Sequence, residues 1–503
     1  MQEKAISVDP AHLSDHEIRQ ESKSALAITA PWLLRSRYAF LAASAVLLIP
    51  CFWHQHIEAC DLGSHIYIAW LTQAVSQGYL PGLHLVHQHT NAFFDLLLSG
   101  LFPYFGPTGT ERVAVGFCVL IFFWGGFAFA SAAARRPAWT VAPLLAMFTY
   151  GVIFHWGFFN CYLSVGLSLL ALALVVGGTG KDFIAIPPLL ALAAFAHPLG
   201  AACFVALALY LAGLRWLPAN YHLAHSLAIL AFSFAVRLYL VRHLEVLPRE
   251  TNKFWLLGAD QLLVFGREYF WLALATFSLC VLAAVLALRK RQFSTIAPWL
   301  YFYLTIALVI GFLPGGFNSP HSFGMMGYLP DRGSLYSAIA LAALIACCRP
   351  GRWFPIACSV LGLLFFAAIY RDTGTLQRRE TKVAELVRSH PGARVFSYYP
   401  TIPHWRIHEQ HDVARACVGV CYDYTDYEPS SMQFRLQADD ENRIVQVDQD
   451  ALDAMQDGSY IVQPRDLPLF EVYQCGPNVT GLCIAALRAG QKTGDVPGIT
   501  AAP

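Results

Sequence analysis

Charge is scarce in this chain, and one long stretch lacks basic charge altogether. Asp, Glu, Lys and Arg make up 13% of its 503 residues, where a soluble protein carries about 25%. With 56% hydrophobic residues and a mean hydropathy of +0.47, most of the chain is expected to be solvated by lipid. A formal net charge of +1 excludes the strongly basic footprint of a nucleic-acid binder. Residues 1–30 are polar and hold no apolar core, so no cleavable signal peptide is expected. The first apolar run, 38–53, then serves as an uncleaved signal anchor. No HExxH, GxSxG, Walker loop or GxGxxG is found, which leaves metalloprotease, serine hydrolase and nucleotide chemistry without a motif. Internal repeats and low-complexity tracts are absent as well.

What is there begins with long apolar segments, each approaching the roughly 20 residues that a spanning helix needs. They fall at about 38–54, 112–134, 139–156, 159–178, 183–197, 199–216, 223–242, 268–288, 296–314, 332–348 and 353–370. The pair around His197-Pro198 reads equally as one broken helix. Segment 92–105 is short, contains Asp95 and ends in Pro and Gly. Charge decides its status. If the N-terminus is cytoplasmic and 92–105 does not cross, then Arg135-Arg136, Lys181, Arg215, Arg289-Lys290-Arg291 and Arg349/Arg352 all lie on the cytoplasmic side, as the positive-inside rule demands. We therefore expect a polytopic α-helical membrane protein of about 11 transmembrane helices, with 92–105 re-entrant or interfacial. The parts are a cytoplasmic segment 1–37, a transmembrane domain 38–370 with a first exported loop 55–111, an exported α/β domain 371–488 and a disordered tail 489–503. Within the exported part, a helix is expected at 376–389 and strands at 393–399, 442–447, 459–462, 470–473 and 482–486.

Between Arg37 and Arg112 there is no Lys or Arg, yet the stretch holds Glu58, Asp61, Asp95 and Glu111 and six histidines: His54, His56, His65, His84, His87 and His89. No His pair there has HxxxH spacing with a third ligand, so interfacial polar roles are expected rather than a metal site. If 58–65 is helical, Glu58, Asp61 and His65 share one face, and the uncharged 66–75 helix, with Tyr67 and Trp70, lies at the lipid interface. Asp61 is then either a general base at head-group level or an ordinary helix cap. Arg237 and Arg242, inside and at the end of a span, and Arg249 in the following loop either bind an anion or snorkel to the interface. Asp331-Arg332 opens a late span; Arg332 suits a bidentate hold on a lipid phosphate, or else pairs locally with Asp331. His155 and His197, at exported span ends, could line a cavity together with Tyr328. Of the 13 cysteines, nine sit in or beside apolar spans. The remaining four, Cys417, Cys421, Cys475 and Cys483, allow one or two disulfides if that part is exported; their pairing is open, and a Cys417/Cys421 metal site lacks a second half.

The architecture resembles the GT-C superfamily of integral-membrane glycosyltransferases, through several stretches. They are Cys-Asp61-Leu-Gly-Ser-His65-Ile-Tyr-Ile-Ala, Gly-Tyr-Leu-Pro at 78–81, Gly-Phe-Phe-Asn-Cys-Tyr-Leu-Ser-Val-Gly at 157–166, Ala-His197-Pro198-Leu-Gly and Tyr-Leu-Pro-Asp331-Arg332. It is closest in look to bacterial members of unassigned substrate. The resemblance implies transfer of a sugar from a polyprenyl-phosphate donor to a glycan, lipid or protein acceptor on the exported face of the bacterial plasma membrane, with inversion. It carries the general-base role to Asp61, and a helper role to Glu58, although relatives often place two neighbouring acids where this chain spaces them by two residues. Arg332, Arg249, Arg237 and Arg242 are the implied donor-phosphate ligands. No DxD is present, so a divalent metal is expected to be dispensable. The rival readings are a lipid-linked-sugar flippase, which calls for polar residues deep in the spans and paired repeats, and an O-antigen-type polymerase or ligase, which calls for larger Arg-rich exported loops.

Overall fold

Lipid offers backbone amides no hydrogen-bond partner, so uncharged runs of this length satisfy their own peptide groups by coiling into helices. The computed structural model describes residues 29–248, 257–290, 293–319, 324–398, 405, 411–431, 433–440 and 442–495, and is mostly helical. Its helices are α1 (Thr29–Leu48), α2 (Leu62–Ser76), α3 (Phe93–Ala134), α4 (Ala142–Thr149), α5 (Val152–His155), α6 (Phe159–Gly177), α7 (Ile186–Ala196), α8 (Pro198–Trp216) and α9 (His222–His243). These are followed by α10 (Glu268–Arg289), α11 (Phe293–Phe312), α12 (Leu329–Cys348), α13 (Trp353–Val387), α14 (Asp412–Cys417), α15 (Tyr427–Ser430) and α16 (Gln449–Gln456). Eight helices among the described residues are long and apolar enough to cross a membrane. Three shorter apolar helices, Arg37–Cys51, Trp139–His155 and Asp182–Ala196, occupy the remaining expected spans.

Two places differ in detail from the pattern of apolar runs. The short 92–105 segment and the span after it form one 42-residue helical stretch, α3, bent at Gly106 (φ 62°, ψ −176°) between Pro103 and Pro107. At His197-Pro198 the chain does break: His197 is extended (φ −163°, ψ 129°), and Pro198 starts α8, the helix position where a missing N–H costs nothing.

The described chain divides by contacts after Ile49, so α1 belongs to one unit and the described residues from 50 onward form another. Within the second unit the C-terminal stretch packs directly on the first loop. Strands β5 (Arg394–Tyr398), β6 (Tyr422–Asp423), β8 (Leu469–Gln474) and β9 (Leu482–Ala486) form a mixed sheet in the order β6-β5-β8-β9. Strand β7 (Leu436–Ala438) pairs antiparallel with β1 (Leu83–Leu85) of the first loop. A third small sheet joins β2 (Glu245–Leu247), β3 (Gly316–Ser319) and β4 (Gly324–Met326), tying the segment after α9 to the one before α12. Disulfides Cys417–Cys421 and Cys475–Cys483 close the turn after α14 and the β8–β9 hairpin.

Two expectations are corrected here. Helix α2 does not lie free at a lipid surface: Tyr67, Ile68 and Leu71 are buried against Val383, Val395, Val413 and Val472. Its uncharged face finds protein, which removes the same apolar area from water that lipid would. No strand forms at 442–447, and 459–462 contributes only an isolated bridge, Ile461 to Lys492. The helix expected at 376–389 does form, as the distal end of α13, a single 35-residue helix that also contains the last apolar span.

Candidate functional site

The site is built where the first loop, the turn at 154–158 and the start of α12 meet. Residues 57–59 are not helical, so Glu58, Asp61 and His65 do not share a helix face. Asp61 stands at the N-cap position of α2 but makes no capping hydrogen bond through its side chain. Its carboxylate instead lies 3.6 Å from His411 Nε2 and is partly open, at 16% exposure. The backbone there is pinned by the facing turn: Cys60 N donates to His155 O (2.8 Å) and Asp61 N to Trp156 O (3.2 Å). Gly157 allows this approach. Its φ of +79° suits glycine, and an added Cβ would sit 2.7 Å from Asp61 N. Gly157→Ala is therefore expected to destabilise the fold by about 1–3 kcal/mol and to displace Asp61. The thermal midpoint in detergent measures the first effect; an unchanged midpoint would speak against it.

His65 points elsewhere. Its Nδ1 is 3.1 Å from Asp95 Oδ1 and 3.0 Å from Glu428 Oε1. Ser64 Oγ donates to Asp426 (2.8 Å), and Asn160 links Asp95 (3.3 Å) to the carbonyl of Asn91 (3.2 Å). His65, Thr72, Asp95, Ser99, Glu428 and Arg435 line a narrow crevice here. Glu58 is buried, and its carbonyl accepts from His155 Nδ1 at 2.9 Å. That bond fixes the His155 ring in the protein interior, against Phe265.

On the other side of the same turn, the Arg332 guanidinium lies over the Phe158 ring (4.5 Å). Tyr328 packs on both Trp156 (5.2 Å) and Phe158 (5.4 Å). Arg332 Nη1 is 3.5 Å from His197 Nε2. The His197 Nδ1 faces the Leu199 amide (3.2 Å). No carboxylate pairs with Arg332 among the described residues, and an oxyanion beside its guanidinium would satisfy it. Asp331 is buried at the start of α12, its carbonyl accepting from Gln261 Nε2 (3.2 Å). Arg237 and Arg242 are on α9, Arg242 exposed and shortly before β2; neither pairs with an acid among the described residues. Arg249 lies outside the described residues.

Sequence reasoning missed the acids and the histidine that the C-terminal stretch supplies. Asp423, Asp426, Glu428 and His411 are all buried. The alternation Asp423-Tyr-Thr-Asp426-Tyr-Glu428 was the available signal, since so many acids beside tyrosines in a short run are unusual for a solvated loop. Burial pushes Asp423 up to about 7 and Asp426 up to about 6, with a neighbouring carboxylate adding to each. Burial likewise raises Glu428, against the pull of His65. Burial works to lower the two histidines but is overcome: Asp61, Asp426 and Asp423 hold His411 up at about 9, and Glu428 with Asp95 hold His65 well above the usual range. All five groups bind protons more tightly folded than unfolded, so stability falls as pH rises through the window from about 5 to about 9. The thermal midpoint is expected to be higher at pH 5.5 than at pH 8.5. Asp423→Asn should flatten the acidic part of that slope, and a midpoint that rises with pH would contradict the assignment.

Cys60 Sγ, the Asp61 carboxylate and His411 Nε2 lie within 4.8 Å of one another, the described group whose atoms could hold a metal ion. Ligation would need a thiolate and a neutral imidazole, whereas the surrounding acids keep His411 charged, so the trio reads as an ion pair beside a thiol. Set against known proteins, the chain matches no family model, no curated protein and no solved structure.

Proposed function

We propose that the protein is a GT-C-type membrane glycosyltransferase that moves a sugar from a polyprenyl-phosphate donor to an acceptor on the exported face. One observation carries the reading. A partly open carboxylate, Asp61, and a cation without an acidic partner among the described residues, Arg332, flank the same short aromatic turn at 156–158. In this reading Asp61 takes the acceptor proton as the acceptor oxygen attacks the anomeric carbon. The C–O bond to the donor phosphate breaks, configuration inverts, and the leaving phosphate gathers its charge between Arg332 and His197. The eleven apolar helical segments cross the bilayer with the N-terminus cytoplasmic, and the two disulfides lie on the exported side, where oxidising conditions sustain them.

The test is transfer in proteoliposomes from a panel of undecaprenyl-phosphate-linked hexoses and pentoses carrying radiolabelled sugar. Replacing Arg332 with Gln removes charge-assisted hydrogen bonds of about 1.5–3 kcal/mol. The donor KM is then expected to rise about 10–100-fold. Absence of transfer from every donor, or labelled sugar crossing the bilayer without transfer, would overturn the reading, the latter in favour of a transporter.

A further inference from the structure

We propose that His411 is the positioning residue of the Asp61 site: its imidazolium grips one Asp61 oxygen and leaves the other for the acceptor hydroxyl. The inference rests on the transfer reading for the role of Asp61. It goes beyond that reading in making a residue of the C-terminal stretch part of the site.

The contact is built into the fold. His411 is 7% exposed and brings Nε2 to 3.6 Å from Asp61 Oδ1. Its ring packs on Tyr427 at 5.4 Å between centroids. The backbone of His411 presses on the first turn of α2, and only a glycine fits beneath it: a Cβ on Gly63 would stand 2.3 Å from His411 O. Directly after His411, α14 is anchored on buried charges, Arg379 to Asp412 (3.9 Å) and Arg415 to Glu111 (2.9 Å) and Glu380 (2.8 Å). The charged and titratable groups facing the ring are the carboxylates of Asp61 and, from the β6–α15 segment, Asp423 and Asp426, with the Cys60 thiol and Tyr427 beside them. Against three acids the ring carries its proton through neutral pH. A protonated imidazole donates from both nitrogens and accepts at neither, so it orients a carboxylate without competing for the acceptor's proton. Among the described residues, no second ion pair or hydrogen bond holds the Asp61 side chain, so of these residues His411 sets its direction.

The experiment uses the full-length protein in nanodiscs with isotope-labelled histidine, the His411 ring signals being assigned by their loss in His411→Gln. The wild-type ring is expected to titrate near pH 9. In Asp61→Asn its midpoint should fall by about 1–3 pH units. An unchanged midpoint in Asp61→Asn would overturn the proposal. So would a thiolate-to-cobalt absorption on adding Co²⁺ that disappears in Cys60→Ser, since the trio would then be a metal site. Turnover with the undecaprenyl-phosphate-linked panel supplies the functional arm. His411→Gln should lower kcat about tenfold or more, leave the donor KM within about twofold and abolish the fall in rate above pH 9. Gly63→Ala should reproduce the kcat loss with His411 still present. A parallel rise of KM with no change in the pH profile would mark a merely structural role. If no donor turns over, the transfer reading fails, while the titration still decides whether His411 and Asp61 are coupled.

Discussion

Asp61→Asn is expected to lower sugar transfer about 10²–10⁴-fold, the span that positioned base catalysis supplies. The substitution keeps shape and one hydrogen-bond acceptor but removes the group that can take a proton. Asp61 N still reaches Trp156 O, because that bond is made by backbone, so the local fold should survive. The donor site proposed at Arg332 and His197 is on the other side of the aromatic turn. The loss should therefore appear in kcat with little change in donor KM. Initial rates in proteoliposomes across a donor series measure both. Turnover at close to the wild-type rate would remove Asp61 as the base. Asp61→Glu gives a second reading: it restores the carboxylate but moves it by a methylene, and a rate between the two would separate chemistry from placement.

Arg415→Ala is expected to destabilise the protein by about 3–5 kcal/mol, the usual consequence of removing one partner from a buried ion pair. Arg415 is 7% exposed and is the hub of a charge network linking four elements. Its Nη1 donates to Glu111 on α3 (2.9 Å), its Nε contacts Glu380 on α13 (2.8 Å), and its Nη2 donates to Ile57 O in the first loop (3.2 Å). Glu111 also accepts from Ile57 N and lies 3.8 Å from His56 Nδ1. Without the guanidinium, Glu111 and Glu380 are left buried with one cation fewer, so they must take up protons or open the packing. The expected readout is a large drop in thermal midpoint in detergent, or loss of monodisperse protein. The combined change Arg415→Met, Glu111→Leu and Glu380→Leu should recover much of that stability, because apolar groups of similar volume leave no buried charge behind. A wild-type midpoint in Arg415→Ala would show that the network does not hold these elements together.

The sequence made the membrane-embedded part legible because its signal is compositional: runs of uncharged residues become helices in lipid regardless of neighbours. The candidate residues near the turn were legible as positions. Asp61, His197, Tyr328 and Arg332 do gather around residues 156–158. Their partners were not legible. His65 was expected beside Asp61, yet it turns to Asp95 and Glu428, the second of these over 360 residues later in sequence. Contacts at that separation leave no periodic trace. The short strands of the C-terminal stretch were half legible, since β5, β8 and β9 carry β-branched or aromatic runs, whereas 442–447 does not enter a sheet. Helix α2 looked like an interfacial helix because an apolar face reads the same whether lipid or protein covers it.

Helix α13 fixes the angular phase of the whole C-terminal stretch. It leaves the last apolar span and reaches the sheet as one rod, and each residue advances the chain by about 1.5 Å and turns it through about 100°. Glu380, which meets Arg415, and Arg379, which meets Asp412, are both read off that rod. Their alignment with α14, and through it the seat of His411 opposite Asp61, is set by how many residues separate the last apolar run from the sheet. The spacing between that run and the site is thus encoded as a residue count along one helix.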